Sequence, residues 1–554
     1  MTAPVDQPPL AVLRGFDAHD SSLAGFLAKR VARVPAKEAL VFEGRRWSYQ
    51  ELEQDILRAR AWLRARGVRP GDRIGVLSAN HPSTVILVFA LASLGAILVP
   101  ANPAYTVAEA LYVFQHAGIS GLVVSPETLA VARQAAAEIA TTPWLVLNER
   151  GADDPAPVFA DLLREQTPDA DFADTAANAD ATALIIYTSG TTGFPKGVQH
   201  GQRGIVITGE SFVGRLHLQN DDRLLCVMPL FHINALMYSL CGAIAAGATL
   251  VLARRFSASS FWRTVADERV TEVNLVPAAA NILLDRPRAE YVPGHALTKI
   301  FVAPATERLI AALENEFAVE HVIECYGMSE IPGLFANPFE GPRKVASMGL
   351  LSPHPDPAIA RPLVKIVDEN GNPVEGDRVG QLLVKTPTMM QGYYRAPDLT
   401  QAAVRDGWFE TGDLVWRDAD GFHFYAGRLK DLIRRRGENI SGLELDRELA
   451  QHPDVVEVAA IAVPSPLGED DILIVAIPRE GSGLDERALG AWAWARLSAT
   501  KRPRYVVFVP SLPHTPTQRV EKYKLRRDAS LMARAVDLQS APPRDYRGGD
   551  HGRK

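Results

Sequence analysis

The sequence predicts an α/β protein: a large N-terminal domain of layered α/β subdomains with a β-rich subdomain, and a small C-terminal α+β domain. Three observations lead there. In the first part of the chain helix-like stretches alternate with short apolar runs; over residues 377–394 the pattern becomes strand bounded by glycine; and after Gly427 a helix, two strands and a second helix follow. The last group fills about 100 residues, an ordinary domain size.

Residues 49–66, with LEQDILRARAWLRAR inside them, read as a helix, and 73–78 (RIGVLS) as the strand after it. The run VILVFALASLGAILV at 85–99 carries no charge. It is shorter than the roughly 18 apolar residues of a spanning helix, and Gly95 and Pro100 interrupt it, so it reads as a buried helix leading into a core strand. Residues 122–124 and 144–147 continue the alternation. Between 164 and 181 the composition shifts to Asp, Ala, Thr and Pro without apolar periodicity, which marks a surface connection, and 183–187 is a strand. Farther on, DRVGQLLVKTPTMMQGYY (377–394) is a strand with turn-forming glycines and DGFHF (420–424) a hairpin turn. Residues 443–449 and 484–497 read as helices, 455–463 and 472–477 as strands. From about Ala535 little apolar content remains and Pro542, Pro543, Gly548, Gly549 and Gly552 stand among charges, the composition of a disordered tail. The expected domains are 1–429 and 430–530, with the tail at 531–554.

With 554 residues, 47% of them hydrophobic, the chain has material for more than one core. A formal net charge of -6, with Lys and Arg spread among Asp and Glu, provides no basic stripe for a phosphate backbone, so nucleic acid is excluded as a partner. Cys226, Cys241 and Cys325 show neither CxxC spacing nor a histidine cluster, which leaves them as reduced, buried thiols rather than a disulfide framework or zinc site. The N-terminus lacks the basic start, apolar stretch and cleavage site of a secretory signal, so a cytoplasmic location is expected.

The strongest chemical signal is YTSGTTGFPKGV at 187–198, where an apolar strand ends in a loop dense in Gly, Ser and Thr. Gly190, Gly193 and Gly197 permit close backbone approach, the hydroxyls of Thr188, Ser189, Thr191 and Thr192 donate hydrogen bonds, and Lys196 supplies a cation. The loop suits a polyphosphate, although its spacing is not that of the ordinary P-loop.

The same loop resembles the signature of the adenylate-forming superfamily, which includes acyl-CoA synthetases, firefly-type luciferases and the adenylation domains of peptide synthetases. Four further blocks resembling that family follow in order: PLFHINAL (229–236), YGMSE (326–330), WFETGD (408–413) and GRLKDLIRRRGENIS (427–441). The resemblance covers about residues 20–530 and looks nearest to the crotonobetaine/carnitine-CoA ligase group. It implies an enzyme that joins a carboxylic acid to ATP as an acyl-adenylate, releases pyrophosphate and hands the acyl group to coenzyme A, with Mg²⁺ as the metal and a mobile C-terminal domain.

Carried onto this chain, the resemblance makes Glu330, with Thr188, the Mg²⁺ site, in keeping with the preference of Mg²⁺ for hard oxygen donors. Tyr326, Gly327 and Met328 would lie against adenine together with Ala303 and Pro304, and Ser329 would hold the α-phosphate. Asp413 would accept the ribose hydroxyls, as an acceptor-only carboxylate can, with Arg428 opposite. His232 would border the acid pocket; as a lone histidine among apolar neighbours, its bland reading is a core residue. Lys430 falls at the hinge, and Gly437, Glu438 and Asn439 would approach the pantetheine tunnel.

Two segments depart from the family pattern. The lysine of the family's PRTPSGKI-like segment is replaced by Arg519 in LPHTPTQRVEKYKLRR (512–527), and Lys522, three residues on, would share its face if the segment is helical. Either cation could serve. In FVAPA (301–305) Val302 stands where relatives have a glycine. The rival readings are the same adenylation with another acceptor, such as a carrier-protein thiol, and a non-catalytic nucleotide-binding protein. The expected lining at 232–236, 303–306 and 328–334 is small or apolar apart from Asn234, which favours a neutral, medium-sized acid. A homodimer is the default oligomer.

Overall fold

Every residue of the helix Pro82–Ser93 is buried, which is why this stretch contains no charge. His81 caps it, its ring nitrogen accepting the Ser83 N–H (3.2 Å), and the chain then enters the strand Ile97–Ala101, buried throughout. The computed structural model describes residues 6–151, 154–170, 172, 178–188, 195–303, 305–435, 438–465, 469–514 and 520–539. The buried helix shares one apolar core with Leu23–Arg33 and Gln202–Leu216, and that core takes Leu98, Leu184 and Ile186 from one sheet and Leu40, Leu224 and Leu250 from another.

The first of these sheets has seven strands in the order Gly392–Tyr393, Lys196–Gly201, Thr182–Thr188, Ile97–Ala101, Arg73–Leu77, Gly121–Val124, Trp144–Leu147. The second has nine, running from Leu350–Leu351 through Ile331–Ala336, His321–Met328, Lys299–Val302 and Glu272–Leu275 to Arg45–Ser48. Both are parallel in the middle, as buried, helix-covered sheets are, and each is continued by antiparallel strands: Lys196–Gly201 beside Thr182–Thr188, and Ile331–Ala336 beside His321–Met328. Those antiparallel additions carry the site described below.

A five-stranded sheet joins Leu363–Val367, Gly380–Lys385, Trp408–Arg417 and Val404–Arg405, with His423–Arg428 beside Trp408–Arg417; this is the expected β-rich subdomain, and DGFHF closes a hairpin within it. The chain divides into two compact units, one of Met1–Val364, Val384–Phe409 and Gly421–His423, the other of Lys365–Leu383, Glu410–Asp420 and Phe424–Lys554. In the second unit a four-stranded sheet, Val455–Pro464, Asp470–Pro478, Tyr505–Phe508 and Val536–Asp537, packs Gly442–Leu449 and Glu486–Arg496 on one apolar face (Leu445, Leu449, Leu489, Trp492) and Leu525 and Leu531 on the other.

The tail expected from 531 does not begin there. Ala529–Arg534 is a helix, Val536–Asp537 pairs with Tyr505 and Val506, and Leu538 is fully buried, its side chain occupying the space beside Gly490. Two apolar residues at the right register suffice to fasten this segment, which a composition average overlooks. Cys226 and Cys241 are buried thiols as expected, whereas Cys325 is only partly covered. Among the described residues no helix is long and apolar enough to cross a membrane.

Candidate active site

Strand Thr182–Thr188 and its return, Lys196–Gly201, pair up to Thr188 opposite Lys196, so the glycine-rich connection is gripped at both ends. Helix Val107–Ala117 backs this grip. Tyr187 Oη lies 2.7 Å from His116 Nδ1, and Tyr112 Oη donates to the Pro195 carbonyl (3.2 Å). Tyr394 donates its N–H to the Gly197 carbonyl (2.7 Å) and its hydroxyl to that of Ala117 (3.3 Å). Burial holds the Tyr187 hydroxyl far above its ordinary pKa and lowers that of His116, so the pair is phenol to neutral imidazole.

The YGMSE block is the end of a hairpin. Strand His321–Met328 turns over Ser329 and Glu330 and returns as Ile331–Ala336, with Met328 opposite Ile331. The turn is so tight that a Cβ on Gly327 would stand 2.7 Å from the Gly333 nitrogen, and only glycine fits. Tyr326 is half-buried, its ring 5.9 Å from that of Phe335. The imidazole of His200, on the strand after the glycine-rich loop, meets the Ser329 backbone; burial pushes its pKa down to about 4, against that hydrogen bond.

Tyr393 joins the two blocks. Its hydroxyl donates to Glu330 Oε1 (2.8 Å), and Lys196 Nζ stands 5.0 Å from the centre of its ring. Burial, and then the Glu330 carboxylate, keep that hydroxyl protonated well beyond neutral pH. Backbone bonds fix the arrangement, since Met390 N–H donates to the Glu330 carbonyl (2.8 Å) and Gln391 N–H to that of Gln199 (2.9 Å). Thr188 and Lys196 thus form one cluster with Ser329 and Glu330, more than a hundred residues farther along the sequence. Tyr393 was missed by sequence reading because 377–394 reads only as a strand with turn-forming glycines, and nothing local announces its partner.

Phe301 and Val302 are buried in the strand Lys299–Val302, and Ala303 follows at its end. A second unforeseen residue, Glu324, braces this turn: Oε1 accepts the Ala305 N–H (3.1 Å) and Oε2 the Ala346 N–H (3.0 Å), while burial raises its pKa to about 7 against both bonds. His232 begins the approach to a wide π-type helix, Asn234–Leu240, a form met often at functional sites. Burial lowers its pKa to about 4, so its ring is neutral.

In the second unit, Arg428 Nε donates to Oδ1 of buried Asp413 (2.9 Å), so these two expected site residues meet. Lys430 lies in the single turn Leu429–Asp431, which Arg526 clasps through the Lys430 carbonyl (3.0 Å) and the Asp431 carboxylate (3.0 Å). Leu432–Arg435 and Glu438–Ser441 form a two-stranded hairpin. The helix Lys522–Arg527 starts at Lys522, and Val520 and Glu521 before it are not helical. The Lys522 ammonium is 2.5 Å from Asp446 Oδ2 and donates to the Ala460 carbonyl (3.1 Å), a partly buried pairing within its own domain. Ser189, Gly190, Thr191, Thr192, Gly193, Pro304, Gly437 and Arg519 lie outside the described residues, as do the side chains of Glu438 and Asn439.

The sequence model of the AMP-binding enzymes matches residues 27–394, and that of the AMP-binding enzyme C-terminal domain matches 444–519. The chain belongs to the AMP-binding enzyme family. Among its relatives, the sulfoacetate–CoA ligase of Cupriavidus necator is 33% identical over 91% of this chain and 97% of that protein. Of solved structures in the family, ATP-bound MatB from Rhodopseudomonas palustris superposes with a TM-score of 0.79 at 26% identity, over 91% of this chain and 98% of that one. The anthranilate CoA ligase AuaEII in complex with anthranoyl-AMP gives 0.81 at 25%, over 93% and 98%. The crotonobetaine/carnitine–CoA ligase of Salmonella enteritidis is 27% identical over 88% and 96%. The expected leaning toward that group therefore reduces to membership of the adenylate-forming superfamily.

Proposed function

We propose that this AMP-binding enzyme is an acid–thiol ligase that joins a carboxylic acid to ATP as an acyl-adenylate and passes the acyl group to coenzyme A. The carrying observation is the Lys196–Tyr393–Glu330 cluster, a cation at the end of a glycine-rich loop held against a carboxylate at the tip of a hairpin. The loop around 188–196 cradles the polyphosphate, Tyr326 with Ala303 and Pro304 borders adenine, and Asp413 with Arg428 takes the ribose hydroxyls. Glu330 suits Mg²⁺, being a half-exposed hard oxygen donor with one oxygen engaged by Tyr393. Bound there with the Thr188 hydroxyl, the ion would offset phosphate charge.

In the first half-reaction a carboxylate oxygen attacks the α-phosphorus and pyrophosphate leaves; in the second the coenzyme A thiolate attacks the acyl carbon and AMP leaves. A free carboxylate has a poor leaving group, and the chain's contribution is in-line positioning and charge stabilisation. Because Lys522 is engaged by Asp446, Arg519 is the better candidate for the cation that meets the attacking carboxylate. The second half-reaction uses the turn at Lys430 as hinge and the segment at 437–439 toward pantetheine.

The test is acid-dependent exchange of labelled pyrophosphate into ATP, followed by thioester formation on adding coenzyme A. Exchange with any acid and thioester with coenzyme A support the reading; exchange without thioester moves the acceptor elsewhere, and neither removes it. Arg519→Ala should abolish exchange while leaving thioester formation from prepared acyl-adenylate.

A further inference from the structure

Arg215, near the end of helix Gln202–Leu216, is 4% exposed. Its Nη2 donates to the Gly333 carbonyl, but Nε and Nη1 are buried without a hydrogen-bond partner. Other buried arginines of this chain are paired with carboxylates, Arg30 with Glu210 (3.6 Å), Arg60 with Asp169 (2.6 Å) and Arg435 with Asp471 (3.4 Å). Among the described residues Arg215 has none; the titratable groups beside it are the Tyr238 hydroxyl and the Cys325 thiol, both held neutral by burial. A buried guanidinium with two idle donors and no counter-charge is unfavourable unless something else supplies the anion.

Its position indicates what that is. Gly333 has φ +61°, and a Cβ there would lie 2.6 Å from Nη1, so the strand after Glu330 is shaped around the cation. Tyr238 stands on the π-type helix one turn after Asn234, whose carboxamide oxygen is likewise buried and unpartnered. Residues 232–236 and 328–334 are two of the three segments expected to line the acid site. Asn234, the polar exception in that lining, is therefore unsatisfied, and so is a cation beside Gly333 that the apolar reading of the sequence did not include.

We propose that Arg215 receives a second oxyanion on the acid, so that the enzyme activates short dicarboxylates or sulfocarboxylates in preference to monocarboxylates of the same length. The idle Nε–H and Nη1–H lie on different edges of the guanidinium, so each can give a single charge-assisted hydrogen bond to a carboxylate or sulfonate oxygen, while the first carboxylate goes to ATP. This rests on the adenylation reading above.

The experiment measures pyrophosphate exchange for matched pairs, malonate with propionate, succinate with butyrate, sulfoacetate with propionate, together with benzoate, using the wild type, Arg215→Lys and Arg215→Met. The wild type should favour the dianion by on the order of 100-fold in kcat/KM, as expected when a buried, charge-assisted contact is realised by one substrate only. Arg215→Met should erase that preference chiefly through KM for the dianion, Arg215→Lys should restore part of it, and exchange with monoanions should change little. A wild type that prefers butyrate or benzoate overturns the inference and leaves adenylation intact. An equal loss for all acids in Arg215→Met, with a lowered melting temperature, overturns it too by making Arg215 a brace for Gly333; should Arg215→Met not fold, the wild-type preference and Arg215→Lys decide. If no acid of either class supports exchange, the adenylation reading falls and the inference with it.

Discussion

Replacing Tyr393 by phenylalanine removes a single oxygen atom from the centre of the proposed site, exchanging the hydroxyl for a ring hydrogen, and leaves the ring on which Lys196 rests. The hydroxyl donates to Glu330 Oε1 at 2.8 Å, a neutral donor on a charged acceptor. Such bonds contribute about 1.5–3 kcal/mol when buried. Glu330 is only half-buried, so water replaces part of the lost bond and about 1–2 kcal/mol remains, or roughly 5- to 30-fold in an equilibrium constant. The carboxylate that is no longer held should bind Mg²⁺ more weakly, so KM for MgATP should rise by that factor in pyrophosphate exchange, and excess Mg²⁺ should recover part of the loss. Tyr393→Ala should add the loss of the Lys196 contact, about 0.5–1 kcal/mol. An unchanged Mg²⁺ dependence in Tyr393→Phe, with an unchanged melting curve, would refute the positioning argument.

Three further outcomes follow from the geometry. Lys522→Met leaves the partly buried Asp446 carboxylate without its cation and should destabilise the C-terminal domain by about 2 kcal/mol; adding Asp446→Asn should recover most of the melting temperature, which a purely catalytic lysine would not predict. Glu324 has its folded pKa raised to about 7, so the native state holds the proton more tightly than the unfolded chain. Its contribution is full below about pH 4.5 and is lost as pH rises to 7, on the order of 3 kcal/mol. The melting-temperature difference between wild type and Glu324→Gln should therefore shift in favour of the variant between pH 5 and 8, and a constant difference would count against a buried titration. Asp413→Ala should raise KM for ATP about tenfold with little change in KM for the acid, as loss of a charged acceptor for two hydroxyls implies; equal effects on both substrates would point to a folding defect through Arg428.

Much of the fold was legible because its elements are locally consistent. The helix over 49–65 has its Ser48–Glu51 capping box, and the strands 455–464 and 470–478 contain the apolar runs 458–463 and 472–477. What escaped was non-local. Tyr393 and Glu324 act through partners sixty-three and nineteen or more residues away, and no spacing rule reaches across such separations. Arg215 was invisible for another reason: on paper it ends an amphipathic helix as a favourable basic residue, and only burial reveals it as unpaired. Lys522 was placed by assuming a helix through 519–522, whereas the helix begins at 522.

The fully buried helix Pro82–Ser93 has a consequence for synthesis. Its partners in the core include Leu184, Ile186, Ile205 and Val213, which leave the ribosome roughly a hundred residues after the helix does. At about 5–20 residues per second, an uncharged apolar segment of twelve residues stays uncovered for on the order of ten seconds. Over that interval it is a natural client for a chaperone and the first place where slowed translation should turn into aggregation. The same apolarity that lets one helix fill the space between two sheets in the finished enzyme makes the nascent chain depend on timely arrival of its second hundred residues.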